Sequence, residues 1–173
     1  MSTYHLSIHR QLGDNTAACF RILKLSYQFF LDYPVSKYPE LLEKRNRAYN
    51  CMILELFEDC ILCIPYRTEM NHTNGYRFKS SKRSSAHKSG LDYSKMVILG
   101  DASYLEQTPV TIDKDEYNET IRNIEKIKKG VIHYLEQYIA HMQGIAPMHQ
   151  EEFLRKYKYC TLPYFHSELG LFI

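Results

Sequence analysis

Arg67 and Thr68 stand directly after an apolar run, Ile61 to Ile64, that ends in Pro65-Tyr66, and His72 follows four residues later. Arginine presents a planar fork that matches phosphate oxygens, and threonine adds a short hydroxyl donor on a rigid element. An imidazole four residues on is close enough to reach the same phosphate. Across a polar, basic loop lies a second group, Ser89-Gly90-Leu91-Asp92-Tyr93-Ser94-Lys95, which feeds the apolar run Met96 to Leu99. Ser89, Tyr93 and Ser94 bring hydroxyls and Lys95 a cation, while Asp92 either orients His72 or Lys95 or caps the turn. These are the parts of metal-free RNA cleavage. One group activates a ribose 2′-OH, cations stabilise the phosphorane, and a proton donor helps the 5′-oxygen leave. A polar loop rim with two satisfied residues fits the same pattern, and residue types alone do not separate the two.

Other chemistries find less support. Cys60-Ile61-Leu62-Cys63 has the spacing of metal and redox sites, but it falls in a strand, where residues three apart face opposite sides of a sheet. No second pair accompanies it, so structural thiols are expected. His133 and His141 share a helical stretch but lie two turns apart, too far to chelate one ion, and there is no H-E-x-x-H or carboxylate cluster. The sequence thus offers no metal set and calls for no cofactor. Nothing marks a cysteine as an activated nucleophile, and neither a G-x-S-x-G elbow nor a glycine-rich phosphate loop is present.

Charge distribution is more informative than total charge. The 173 residues carry a formal +2, yet Tyr76 to Lys95 holds six Lys/Arg against Asp92 alone, a local +5 that leaves −3 for the remainder. A basic patch on a nearly neutral chain suits a polyanion groove, although charge runs are usually only solvated loops. Fifteen Tyr, eight Phe and no Trp make the chain tyrosine-rich; most should pack, and some are candidates for stacking on bases. Five cysteines, odd in number and set among apolar residues, point to reduced thiols rather than a disulfide framework. No run approaches the roughly 18 apolar residues of a membrane span, and the N-terminus lacks a signal-peptide core, so a cytoplasmic protein is expected.

The elements that must position these residues are predicted as follows. Residues 1–18 form an arm of uncertain order and 19–173 a single domain. Phe20 to Leu25 form a strand, Tyr27 to Leu31 a short helix, and Pro39 to Leu42 the start of a helical turn. Tyr49 to Leu56 and Ile61 to Ile64 form a hairpin about Glu58-Asp59. Met96 to Leu99 form a third clear strand and Val110 to Ile112 a fourth. A long helix follows, capped by Asp113 with Glu116 as in a capping box. Its apolar stripe is Ile121, Ile124, Ile127, Val131, Leu135, Tyr138 and Met142, interrupted by Gly130. A short helix spans Met148 to Tyr157, and the apolar tail from Leu162 docks on the sheet. Antiparallel strands with helices gathered before and after them define an α+β fold.

Four motifs occur in order: Tyr38-Pro39-Glu40; Arg47-Ala48-Tyr49; Ile64-Pro65-Tyr66-Arg67-Thr68 with His72; and Ser89 to Lys95. In them the chain resembles the endoribonuclease toxins of type III toxin–antitoxin systems, the ToxN/AbiQ group, above all its TenpN and CptN branches. The likeness covers about Arg21 to Leu135. It implies a compact, strongly curved antiparallel sheet or barrel of the Kid/MazF kind with surrounding helices. It further implies metal-independent cleavage of single-stranded RNA to a 2′,3′-cyclic phosphate, on cellular or phage RNA. A small structured RNA antitoxin, often a pseudoknot repeat, would inhibit the enzyme and assemble with it into a multimeric complex. The family's hydroxyl residue falls on Thr68, beside Arg67. Its basic residue falls on Arg47, and its early aromatic on Tyr27 or Phe29. Members often have serine where Thr68 stands and proline where Ala48 stands.

The expected groove therefore runs between the Arg67–His72 edge and the Ser89–Lys95 edge. Thr68, Arg67, His72 and Lys95 are the candidate catalytic set. His72 is placed in acid/base work because histidine titrates near neutral pH. Arg47, Tyr66, Tyr76, Arg77, Lys79, Lys88, Ser89, Tyr93 and Ser94 are the candidate RNA contacts, with Tyr76 to Lys88 a mobile flap. A non-catalytic RNA-binding protein would use the same groove. A purely structural role follows only if Arg67, His72 and Lys95 lie far apart.

Overall fold

The computed structural model describes residues 20–41, 49–57, 60–108 and 110–172; the arm 1–18, Cys19, Arg47, Ala48 and the Glu58-Asp59 turn lie outside them. Its centre is the expected hairpin. β2 (Asn50–Phe57) pairs antiparallel with β3 (Cys60–Arg67), setting Cys51 opposite Pro65 and Ile53 opposite Cys63. β1 (Arg21–Leu25) adds to the outer edge of β2, and β7 (Leu105–Glu106) to the outer edge of β1. Leu62, Cys63, Ile64 and Pro65 are all buried, so β3 is covered on both faces, as its unbroken apolar run requires.

The second edge of β3 is shared by two short strands. β6 (Val97–Leu99) pairs with Ile61 to Cys63, and β5 (Gly90–Asp92) pairs with Tyr66 and Arg67. Between them a 3-10 turn, Tyr93–Lys95, leaves the sheet line. Ile64 and Pro65 lie opposite that gap. A proline with no N–H is tolerated where a ladder is interrupted. β4 (Gly75–Arg77) then closes on β5.

The result is a seven-stranded antiparallel sheet in the order β4-β5-β3-β2-β1-β7, with β6 beside β3. It is an open sheet, which corrects the expected barrel. Its two ends, three-residue β4 and two-residue β7, do not pair with each other. Two further expectations change. Val110 to Ile112 make no ladder, and the strand of that region is β7. The predicted long helix is two, α3 (Lys114–Arg122) and α4 (Ile124–Met142), divided at Asn123, whose side-chain amide caps the Glu119 carbonyl. Ile121, expected on the buried stripe, is exposed, and the buried face of α4 begins at Ile127.

The remaining elements follow local rules. Ser26 caps α1 (Tyr27–Asp32), Ser81 caps α2 (Lys82–His87), and Asp113 caps α3 through Asp115 and Glu116 N–H. α5 (Gln150–Tyr157) precedes the tail, where Leu162 and Phe165 are fully buried. Thr161 anchors this tail: its N–H donates to the Ser94 carbonyl at 3.0 Å and its hydroxyl to Met96 O. Most tyrosines pack internally. Phe29 stacks on Tyr33 at 4.7 Å, and the Tyr157 ring contacts those of Tyr134 and Tyr138. No helix among the described residues is long and apolar enough to cross a membrane.

Two glycines let β4, β5 and the chain after β3 come together. Beyond Thr68 the backbone turns through a left-handed Glu69 (φ 58°) and inserts Met70 between Gly75 and Gly90. A Cβ on Gly90 would lie 2.3 Å from Tyr76 O and 2.9 Å from Met70 Sδ. Gly90→Ala is therefore expected to cost about 3 kcal/mol of stability through overpacking, whereas Gly100→Ala, with nothing within 4 Å of its Cβ, should stay near wild type. Urea-unfolding midpoints of the two variants check this.

Candidate functional site

Strand alternation sorts the end of β3 into two faces. Arg67, Gly90 and Arg77 share one face with Asp92, two residues on from Gly90, while Tyr66, Leu91 and Tyr76 share the other. The charged face is organised around Asp92, whose carboxylate is wholly shielded from solvent. Its Oδ1 accepts from the Ser94 N–H at 2.9 Å and the Ser94 hydroxyl at 2.6 Å, which caps the 3-10 turn. Its Oδ2 takes Arg67 Nη1 and, at 3.3 Å, His72 Nε2. Burial alone would raise the Asp92 pKa. The His72 and Ser94 hydrogen bonds and the Arg67 charge outweigh it and hold the carboxyl below its ordinary value.

His72 is fixed from both sides. Its Nδ1 accepts from the Asn74 N–H at 3.2 Å, which places the neutral ring's proton on Nε2, toward Asp92. Both nitrogens are thus engaged, and His72 can move a proton only after releasing one partner. Arg77 braces the same loop by donating to the carbonyls of Met70 and, at 3.4 Å, His72. Arg67 keeps spare donors: its Nε is buried and has no hydrogen-bond partner among the described residues. Thr68 is half-buried, and its hydroxyl makes no hydrogen bond there either.

The structure brings Arg67 and His72 together on Asp92, with Thr68 following Arg67 in the chain, but turns Lys95 elsewhere. Lys95 Nζ pairs with Glu40 and donates to Tyr159 O at 2.7 Å, so its charge is balanced before any ligand arrives. This corrects its place in the catalytic set. Tyr49, whose hydroxyl donates to Lys95 O at 2.8 Å, lies close enough to feel Asp92 and Arg67. Burial, with Cys51 and Asp92 adding, raises its pKa well above the ordinary value.

Several expected RNA contacts are packing residues, a second correction. Tyr93 is buried and donates to Ile127 O at 3.3 Å; a Cβ on Gly130 would sit 2.8 Å from its hydroxyl oxygen, which explains a glycine inside α4. Ser94 is committed to Asp92. Ser89 is fully buried and donates to Glu116 at 2.5 Å. Tyr66 stacks on Phe78 and bonds Thr120 at 3.0 Å, while Tyr76 donates to Glu119 at 3.1 Å. Burial and then Glu119 push the Tyr76 hydroxyl up to about 12. Lys79 and Lys88 remain exposed; Lys88 donates to Asn71 Oδ1 at 2.9 Å. Of the two early aromatics, Phe29 is fully buried and Tyr27 faces solvent.

The expected flap is strapped to α3. Glu119 accepts from the N–H groups of Lys79 and Ser80 and from the Ser80 hydroxyl, and Glu116 takes Arg83 at 3.2 Å besides Ser89. Burial raises the Glu116 pKa against the pull of Ser89 and Arg83. At Glu119 burial acts the same way, but the Ser80, Lys79 and Tyr76 donors prevail and lower it. Cys60 and Cys160 are pushed up to about 11 by burial, and Cys51 and Cys63 are raised further, so none of these thiols is an activated nucleophile.

Beside His72 opens a cleft of about 630 Å³ between the Asn71–Gly75 loop, α4 and α5. His133, Glu152, Arg155 and Lys156 line it. Burial draws the Lys156 ammonium below its ordinary value, against Glu152, and the ammonium lies over the Tyr134 and Tyr157 rings. Reading the sequence missed these residues; the adjacent cations Arg155-Lys156 were the one local signal. The chain matches no protein-family model, no curated protein and no solved structure.

Asp92→Asn should leave Arg67 and His72 without their counter-charge and cost about 3 kcal/mol at neutral pH. Because the folded carboxyl titrates below its unfolded value of about 3.9, its stabilisation is complete above that value and is lost as pH falls through the folded one. Thermal unfolding from pH 7 to pH 2 checks this: the Asn variant should be less stable at pH 7 and lose less on acidification.

Proposed function

We propose that the chain is a metal-independent endoribonuclease acting on single-stranded RNA. More particularly, we read it as the toxin of a type III toxin–antitoxin system, restrained by a structured RNA antitoxin that occupies the same groove. The observation that carries the reading is the convergence of Arg67 and His72 on Asp92 at the end of β3, where Thr68 is the next residue of the chain. There Arg67 retains a buried, unpartnered Nε and Thr68 an unpartnered hydroxyl. The four motifs from Tyr38 to Lys95 supply the toxin part of the reading.

In this mechanism the ribose 2′-oxygen bonds to phosphorus as the P–O5′ bond breaks. One proton leaves the 2′-hydroxyl and one is delivered to O5′, giving a 2′,3′-cyclic phosphate and a 5′-hydroxyl. Arg67 and Thr68 donate to the non-bridging oxygens, where negative charge builds. His72 takes part in proton transfer once its ring swings off the Asn74 N–H. Asp92 holds Arg67 and His72 in place without touching the RNA. One observation favours the second reading, a non-catalytic RNA-binding protein: both His72 nitrogens are already occupied.

Incubating the protein with RNA in EDTA and mapping end groups decides between the two. The enzyme leaves 2′,3′-cyclic phosphate ends, and Thr68→Ala should lower the rate about 100-fold, the effect of removing one transition-state donor. Salt-sensitive binding without any cleavage would overturn the enzyme and leave the binder.

A further inference from the structure

We propose that the cleft beside His72 seats one nucleotide of the RNA, a neighbour of the cleaved linkage, and that Arg155 and His133 hold its phosphate. This rests on the RNA reading above, and it follows from features outside the Arg67–Thr68 site. His72 belongs to both places: its ring lines the cleft while its Nε2 faces Asp92. A chain whose scissile phosphate lies at Arg67 and Thr68 therefore enters the cleft with its next unit.

The cleft suits a nucleotide in size and in chemistry. Its volume of about 630 Å³ is within the range of small-molecule sites. Tyr93, Gly130 and Tyr134 line its floor; the two rings are buried and tilted at 57° to each other, and Gly130 adds no side chain, so the floor is closed by apolar surface. One wall is the loop Asn71-His72-Thr73-Asn74. Asn71 and Thr73 are exposed there and offer amide and hydroxyl groups to base edges. This loop is not free to collapse into the cleft, because Arg77 holds its carbonyls and the Asn74 amide donates to Lys156 O at 2.8 Å.

The opposite wall supplies charge. Arg155 and His133 are exposed on the cleft and make no hydrogen bond or ion pair among the described residues. Lys156 is held by Gln137 and by two aromatic rings, so it contributes field rather than a free donor. Glu152 is the only acid of this wall and acts on Lys156. Unpaired donors on one side, an apolar floor and amide and hydroxyl groups on the other form a receptor for a base that carries a phosphate.

The test is titration of the full chain with the four 3′-mononucleotides, their nucleosides and inorganic phosphate, followed by calorimetry. At least one mononucleotide should bind about tenfold tighter than its nucleoside and than phosphate, and Arg155→Ala should weaken it about fivefold or more, as for loss of one charge-assisted pair. Lys24→Ala, which removes a cation from β1, should not. Since Arg155 and His133 are exposed and unpartnered, their variants should unfold at the wild-type midpoint. With RNA as substrate, Arg155→Ala should raise KM and spare kcat. Nucleotide binding that depends on Arg155, in a protein that never cleaves RNA, upholds the cleft and overturns the nuclease. Cleavage with KM unchanged in both Arg155→Ala and His133→Ala, and no mononucleotide bound, overturns the cleft and upholds the nuclease.

Discussion

A carboxylate with no access to water has to be answered by protein, and Asp92 imposes that requirement on this fold. Its two oxygens divide the task. One caps the 3-10 turn that separates β5 from β6, and through that turn it sets how both strands lie along β3. The other fixes the two groups best suited to meet phosphate, Arg67 and His72. A single buried charge thus couples the sheet's connectivity to the geometry of the candidate site. Removing it disturbs both, because the Thr161 anchor of the tail is built on the carbonyls of that same turn.

The same logic recurs across the basic segment. Arg83 is answered by Glu116, Lys95 by Glu40, and the backbone donors at Lys79 and Ser80 by Glu119. Every one of these acids lies at least 33 residues away in sequence. A count taken along the chain therefore finds +5 between Tyr76 and Lys95, and the −3 elsewhere is in part its internal counterweight. What reaches solvent is smaller: Arg77, which backbone carbonyls hold, and Lys79, Lys82 and Lys88 are exposed.

This distance also decides what the sequence could disclose. The hairpin, β1, α1, β6 and the Asp113 cap are set by alternation and by side chains bonding to adjacent backbone, so each is legible locally. Arg67 was legible at a strand end, and His72 as its neighbour five residues on. Ser89, Tyr93 and Lys95 have the right chemistry for RNA, but partners on α3, α4 and the segment around Glu40 claim them, and Ser94 is claimed by Asp92. Glu116 shows the ambiguity well. Its spacing from Asp113 is that of a capping box, yet its carboxylate turns to Ser89 and Arg83. The break at Asn123 was illegible for another reason: an apolar stripe at steps of three and four continues through a bend unchanged.

These pairings bear on how a phosphate would be recruited at all. Arg67 and His72 are precise in position but electrostatically committed, since the Asp92 charge offsets part of their attraction for an anion. Long-range attraction must therefore come from cations that no carboxylate has answered. Arg155 is of that kind, and it stands across the cleft from His72. Such a division of labour, with paired charges for alignment and unpaired ones for capture, lets a site be rigid without being neutralised. It also explains why α4 carries a glycine where it meets Tyr93. The ring can tuck beneath the helix there, where a Cβ would lie 2.8 Å from its hydroxyl oxygen.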